Sequence, residues 1–144
     1  MSEKIVLLVE DNENDAILAE RAFMKCGVDY RLIITRDGVE ALDFLFHRGS
    51  YAQRDSKLDP AIILLDLKLP LIDGFEVLRQ IRAEKSTSHI PIVVLTSSLE
   101  ETDQEKSREL GANKYYSKPI PFDKFVALIR QICSEWLSKN GHNE

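Results

Sequence analysis

Short continuous apolar runs alternate along this chain with stretches in which apolar residues recur every three or four positions. Continuous runs bounded by polar residues fit strands buried on both faces, and the helical recurrence fits amphipathic helices packed over them. Strands are predicted over residues 4–9, 30–34, 61–65, 90–95 and 113–117. The second alternates weakly and rests on its β-forming residues. The first helix would place Ala16, Ile17, Ala19, Ala22, Phe23 and Cys26 on one face, with Asn12 or Asn14 as cap and Gly27 as its end. Asp37 is the expected cap of the second, whose apolar positions are Val39, Ala41, Leu42, Leu45 and Phe46. A third helix, entered through residues 70–74, turns Phe75, Val77, Leu78 and Ile81 inward, and a short polar helix spans residues 100–110. The last helix has the clearest spacing, with Phe122, Phe125, Val126, Ile129, Ile132, Cys133 and Trp136 along one stripe. Leu137 and the tail from Ser138 to Glu144 are expected to fray.

The order is strand–helix five times over. That is the signature of an α/β chain with a parallel sheet covered on both faces, and right-handed crossovers make it doubly wound. Ligands of such sheets bind beyond the carboxyl ends of the strands. Residues 48–60 form a polar connection longer than the usual span of about 2–6 residues, and its conformation stays open.

The 144 residues fit one domain, with its core over about 4–138. The balance of 19 basic and 24 acidic residues, with no basic cluster, argues against a nucleic-acid surface. The longest apolar run is about five residues, against the roughly 20 of a membrane helix. Ser2-Glu3-Lys4 leads straight into a strand and leaves no room for a secretory signal, so a cytoplasmic home is expected. Cys26 and Cys133 read as small apolar helix residues, and His47, His89 and His142 share no metal-ligand spacing.

The chemistry lies where the strands end. Glu10 and Asp11 follow the first strand, Asp66 the third, Thr96 the fourth and Lys118 the fifth. Taken singly, the acids read as helix-start or turn residues, Thr96 as the start of a loop and Lys118 as solvated. Together they would rarely arise from caps and turns. The loop Glu10-Asp11-Asn12-Glu13-Asn14-Asp15 would repel a free phosphate but attract a hard cation with oxygen ligands, of which Mg²⁺ fits best. Beside such a cation, Asp66 can act as a nucleophile and form an aspartyl-phosphate. Lys118 would hold one phosphoryl oxygen as a point charge and the Thr96 hydroxyl another, while Ser97 leaves space and offers a backbone N–H.

On these residues the chain resembles a two-component response-regulator receiver domain. The carriers are Glu10-Asp11, Asp66, Leu69-Pro70, Asp73-Gly74, Thr96-Ser97 and Lys118-Pro119, spread over nearly the whole length. The resemblance implies a flavodoxin-like sheet of order 2-1-3-4-5, an arrangement known for ligand sites at its switch point. It implies Asp66 as phosphoacceptor from a sensor histidine kinase, with Glu10, Asp11, Asp66 and the backbone carbonyl of Lys68 around Mg²⁺ or another divalent cation. It also implies a cis bond before Pro119 and a switch in which Thr96 moves inward and Tyr115 follows. Tyr116 would face the other way. Within the family, Val9-Glu10-Asp11-Asn12-Glu13-Asn14-Asp15 and Leu64-Leu65-Asp66-Leu67-Lys68-Leu69-Pro70 are similar to the stand-alone regulators of cyanobacterial and bacterial phytochromes, as are the long 48–60 loop and the Trp136-Leu137 ending.

No output domain is expected after the last helix, so the signal would leave through a surface contact. The usual face in the family is made by the fourth helix, fifth strand and fifth helix, where Ile120, Pro121 and Phe122 could support a homodimer. Four other readings compete. A chemotaxis-type or other receiver would take its phosphoryl group from a non-phytochrome kinase. A phosphohydrolase would want an acid two residues after Asp66, where Lys68 stands. An interaction module that is never phosphorylated has no need of the full cluster, and a flavin protein is disfavoured by the acidic first loop.

Overall fold

The computed structural model describes residues 4–27, 30–55, 59–98 and 100–138. Five strands, β1 (Ile5–Val9), β2 (Arg31–Thr35), β3 (Ile62–Leu65), β4 (Ile92–Thr96) and β5 (Lys114–Ser117), alternate with five helices. These are α1 (Glu13–Cys26), α2 (Gly38–Leu45), α3 (Gly74–Ala83), α4 (Glu101–Glu109) and α5 (Phe122–Ile132). All neighbouring strands pair in parallel, in the order β2-β1-β3-β4-β5. This is the flavodoxin-like (βα)5 arrangement that the alternating pattern and the family resemblance implied.

The two-residue period of the strands sorts their side chains into two cores. Val6, Leu8, Ile62, Leu64, Val93 and Leu95 face α1 and α5, where Phe23, Val126, Ile129 and Ile132 meet them. Leu7, Val9, Ile63, Leu65 and Ile92 face α2 and α3, against Leu42, Leu78 and Ile81. Because the central strands are apolar on both faces, a polar residue is tolerated only where a strand leaves the core.

Caps set the helix starts. The side chains of Asn12, Asp37 and Asp73 accept from the backbone N–H of Asp15, Glu40 and Glu76 at 2.9, 2.7 and 3.0 Å. Of the two candidates for α1, Asn12 is therefore the cap. β4 begins two residues later than its apolar run suggests. Ile90 N–H is spent on the Thr87 carbonyl, and Pro91 has no N–H to give the ladder. Three residues of the expected apolar stripes face outward, Val39 of α2 among them. Ile17 lies beside the buried stripe of α1 at 37% exposure, and Phe122 opens α5 before its packed stripe begins, at 39%. Phe75 is half-buried, with the Lys106 ammonium over its ring. The side chain of Trp136 and the residues beyond 138 lie outside the described part.

The 48–60 connection holds a 3₁₀ turn at Gly49–Tyr51. Arg54 fastens it: its guanidinium donates to the Phe44 carbonyl, to His47 Nε2 and to Asp59, and lies 4.2 Å from the Phe44 ring centroid. Tyr51 donates its hydroxyl to Glu40 at 2.8 Å. Cys26 and Cys133 are free thiols packed into the α1–α5 core, and burial pushes the Cys133 thiol up to about 12. No described helix is long and apolar enough to cross a membrane.

Candidate functional site

The register of the sheet brings the polar strand ends to one edge. Glu10 continues β1 by one residue, its N–H on the Thr35 carbonyl at 2.9 Å. Asp66 does the same for β3, donating to the Val9 carbonyl at 3.1 Å, and Lys118 for β5, donating to the Thr96 carbonyl at 2.7 Å. Each side chain is thus fixed by the ladder of its neighbour. Glu10 and Asp66 are buried, at 4% and 6% exposure, whereas Asp11 is exposed.

The Lys118 ammonium stands at the centre. It donates to Glu10 Oε1 at 2.7 Å, to Asp15 Oδ2 at 2.9 Å and to Asp66 Oδ2 at 3.2 Å. The other Asp66 oxygen accepts from Lys68 N–H at 3.1 Å, and Glu10 Oε2 accepts from Asn12 N–H at 3.1 Å. Burial disfavours the charged lysine, yet its bonds to Glu10 and Asp15 and the nearby charge of Asp66 outweigh this and hold its pKa above the usual value. Burial pushes Glu10 up to about 7, and the Asp66 charge adds to the rise against the pull of Lys118. One ammonium does not balance the surrounding acids.

Carboxylate oxygens of Glu10, Asp11 and Asp66 lie within 4.8 Å of one another. Three hard oxygen donors, with negative charge in excess, suit a divalent cation such as Mg²⁺. The expected donors Glu10, Asp11 and Asp66 therefore do come together. Lys68 and Ser97 line the same cleft, and Leu18, Pro119 and Phe125 form part of its apolar wall.

Thr96 is fully buried at the end of β4, and its hydroxyl accepts from Ser98 N–H at 3.4 Å. Tyr115 is half-buried and donates its hydroxyl to the Ser98 carbonyl at 3.2 Å. Tyr116 belongs to the opposite face and packs on the α1–α5 core. The peptide before Pro119 is cis.

Two residues take partners that the sequence reading did not assign to them. Ser98 ties the β4–α4 turn together, since its hydroxyl donates to Asp103 of α4 at 2.6 Å while its carbonyl receives Tyr115. Asp15 reaches the lysine. A signal for Asp15 was present: it lies four residues before Ala19 and seven before Ala22, so the buried stripe of α1 extends back to it.

A five-stranded 2-1-3-4-5 sheet with an acid–lysine cluster over its carboxyl edge defines the receiver class. The model of the response regulator receiver domain matches residues 6–130, and the chain belongs to that family. The chain is 39% identical over 137 residues to the probable methanogenesis regulatory protein FilR2 of Methanothrix harundinacea, spanning 94% of this chain and 85% of that protein. It is 40% identical over 134 residues to the response regulator Rcp1 of Synechocystis sp., spanning 93% and 89%. Among solved structures, the phosphorylated cyanobacterial phytochrome response regulator RcpA aligns with a TM-score of 0.85 at 36% identity, over 95% of this chain and 96% of that one. The Mn²⁺-bound form of Rcp1 aligns at 0.81 and 39%, over 91% and 92%. The chain is thus a receiver-domain protein related to phytochrome response regulators, and related structures hold a divalent cation.

Proposed function

We propose that this protein accepts a phosphoryl group on Asp66 from the phosphohistidine of a sensor histidine kinase, a phytochrome kinase first, and signals by protein–protein contact. The observation that carries this reading is the Asp66 carboxylate held 3.2 Å from Lys118 Nζ inside the Glu10–Asp11–Asp66 cluster. An Asp66 oxygen attacks phosphorus as the phosphorus–nitrogen bond of the donor breaks, and the electron pair leaves with the imidazole. Glu10, Asp11 and Asp66, with the Lys68 carbonyl, would hold Mg²⁺, which supplies charge neutralisation for the phosphoryl oxygens. Lys118 takes one of those oxygens and the Thr96 hydroxyl another, so most of the catalysis is positioning and electrostatics. Tyr115 reports the change through its bond to the β4–α4 turn. The chemistry is the protein's own modification and its reversal rather than turnover of a metabolite.

Phosphotransfer from purified kinases, or labelling by acetyl phosphate, tests the assignment. Asp66→Asn abolishes labelling and EDTA blocks it. Undiminished label on another residue, or metal-independent transfer, would overturn it. The exposed Phe122 at the β5–α5 junction supports self-association through the α4–β5–α5 face, strengthened by phosphorylation; sedimentation that finds a monomer in both states removes that part. The similarity to FilR2 favours a second reading of the partner alone, in which a kinase other than a phytochrome is the donor. A panel of kinases compared for transfer rate decides between the two.

A further inference from the structure

The geometry points to Asp15 as a positioning residue that occupies Lys118 until a phosphoryl oxygen displaces it. The inference rests on the reading of Asp66 as phosphoacceptor. An ammonium has three N–H donors. Glu10, Asp15 and Asp66 accept one each, at 2.7, 2.9 and 3.2 Å, so none is left for an incoming oxygen. One partner must yield. Glu10 is a poor candidate, because its side chain is 5% exposed and water cannot take the lysine's place on it. Asp66 is the residue that receives the group. The Asp15 side chain is 38% exposed, so water can replace the lysine at little cost.

Asp15 is well placed for this. The Asn12 cap fixes its N–H and starts α1 there, which directs its carboxylate over the strand ends. The carboxylate lines the cleft and closes on the lysine more tightly than Asp66 does. It stands in for a phosphoryl oxygen: it keeps the ammonium at the site and competes with the group the ammonium must hold.

The test uses the full chain and beryllofluoride as phosphoryl mimic, at saturating Mg²⁺, with the Mg²⁺ affinity of each variant measured separately. Asp15→Asn removes the competing charge, so beryllofluoride binds about fivefold more tightly, the size expected for one partly exposed charge-assisted bond. Asp15→Glu, which restores a carboxylate, returns towards the original affinity. Glu13→Gln removes the same charge from the same exposed turn without reaching the lysine, and changes binding by less than about twofold. In metal-free protein, nitrogen-detected NMR of the Lys118 ammonium shows faster proton exchange in Asp15→Asn than in the original chain. Equal or weaker beryllofluoride binding by Asp15→Asn, an equal gain from Glu13→Gln, or unchanged proton exchange would each overturn the inference. A starting protein that binds no beryllofluoride at all sinks the assignment of Asp66 instead, and this inference with it.

Discussion

Gly74 lies so close to the backbone of Asp66 that no side chain fits between them. A Cβ on Gly74 would fall on the Asp66 carbonyl oxygen and 2.5 Å from the Leu67 Cα, while the Gly74 N–H donates to the Leu67 carbonyl at 2.9 Å. The start of α3 is thereby pressed onto the proposed phosphoacceptor. Because both contacts are backbone, neither can swing aside. Gly74→Ala is expected to cost about 2 kcal/mol by overpacking. It also displaces Asp66 from Lys118, so labelling slows by more than the lost folded fraction explains. Urea titration and labelling rates on the same sample separate the two effects.

Arg82 joins three elements at the opposite edge. Its guanidinium donates to the carbonyls of Gly111, Ser88 and Ile90 and to the Asn113 side chain, and Asn113 in turn accepts from Ile92 N–H. Burial makes its charged form less favourable, which is the cost of this central position. Arg82→Met strips those carbonyls of their donor and is expected to destabilise by about 2–3 kcal/mol. Denaturant midpoints check this, and labelling of the remaining folded protein should stay intact.

The Tyr51–Glu40 bond predicts an alkaline signature for the 48–60 connection. Burial, with the neighbouring Glu40 carboxylate, pushes the Tyr51 phenol up to about 12 from 10.0. Between those values the folded protein holds a proton that the unfolded chain has lost. Stability from this group is therefore complete below pH 10 and falls as pH rises towards 12. With Tyr51 only partly buried, the loss is about 1 kcal/mol. The difference in unfolding free energy between the original chain and Tyr51→Phe should narrow by that amount from pH 9 to pH 11.5.

Tyr115→Phe removes the donor to the Ser98 carbonyl but no group of the acidic cluster. Labelling of Asp66 is expected to persist, while the phosphorylation-induced shifts of α4 amides, read by NMR, shrink. Loss of labelling in this variant would mean that Tyr115 acts in the chemistry rather than in its readout.

The chain's hydrophobic pattern was enough to define five parallel strands and five helices, because β1, β3 and β4 are buried on both faces and leave no other reading of their apolar runs. Glu10, Asp11 and Asp66 were legible for the same reason: acids that follow such a run must sit at the mouth of the sheet, and Lys118 joined them as the residue ending the more exposed β5. Ile17, Val39 and Phe122 were placed too deep, since a helical stripe is wider in sequence than the strip of sheet that covers it. The partners of Ser98 were not legible. Its bonds to Asp103 and Tyr115 depend on where α4 docks against β5, which no local pattern encodes.

The sequence alone determined the class of the protein and the sheet edge at which its acids and lysine collect, Asp66 among them. Periodicity and strand-end chemistry are local, and they survive any detail of packing. Only the tertiary structure decided how Lys118 divides its three protons, that Asp15 takes one of them, and that Gly74 braces Asp66 from behind. Those relationships join residues from separate elements at distances of a few ångströms, and such distances exist only once the helices have settled on the sheet.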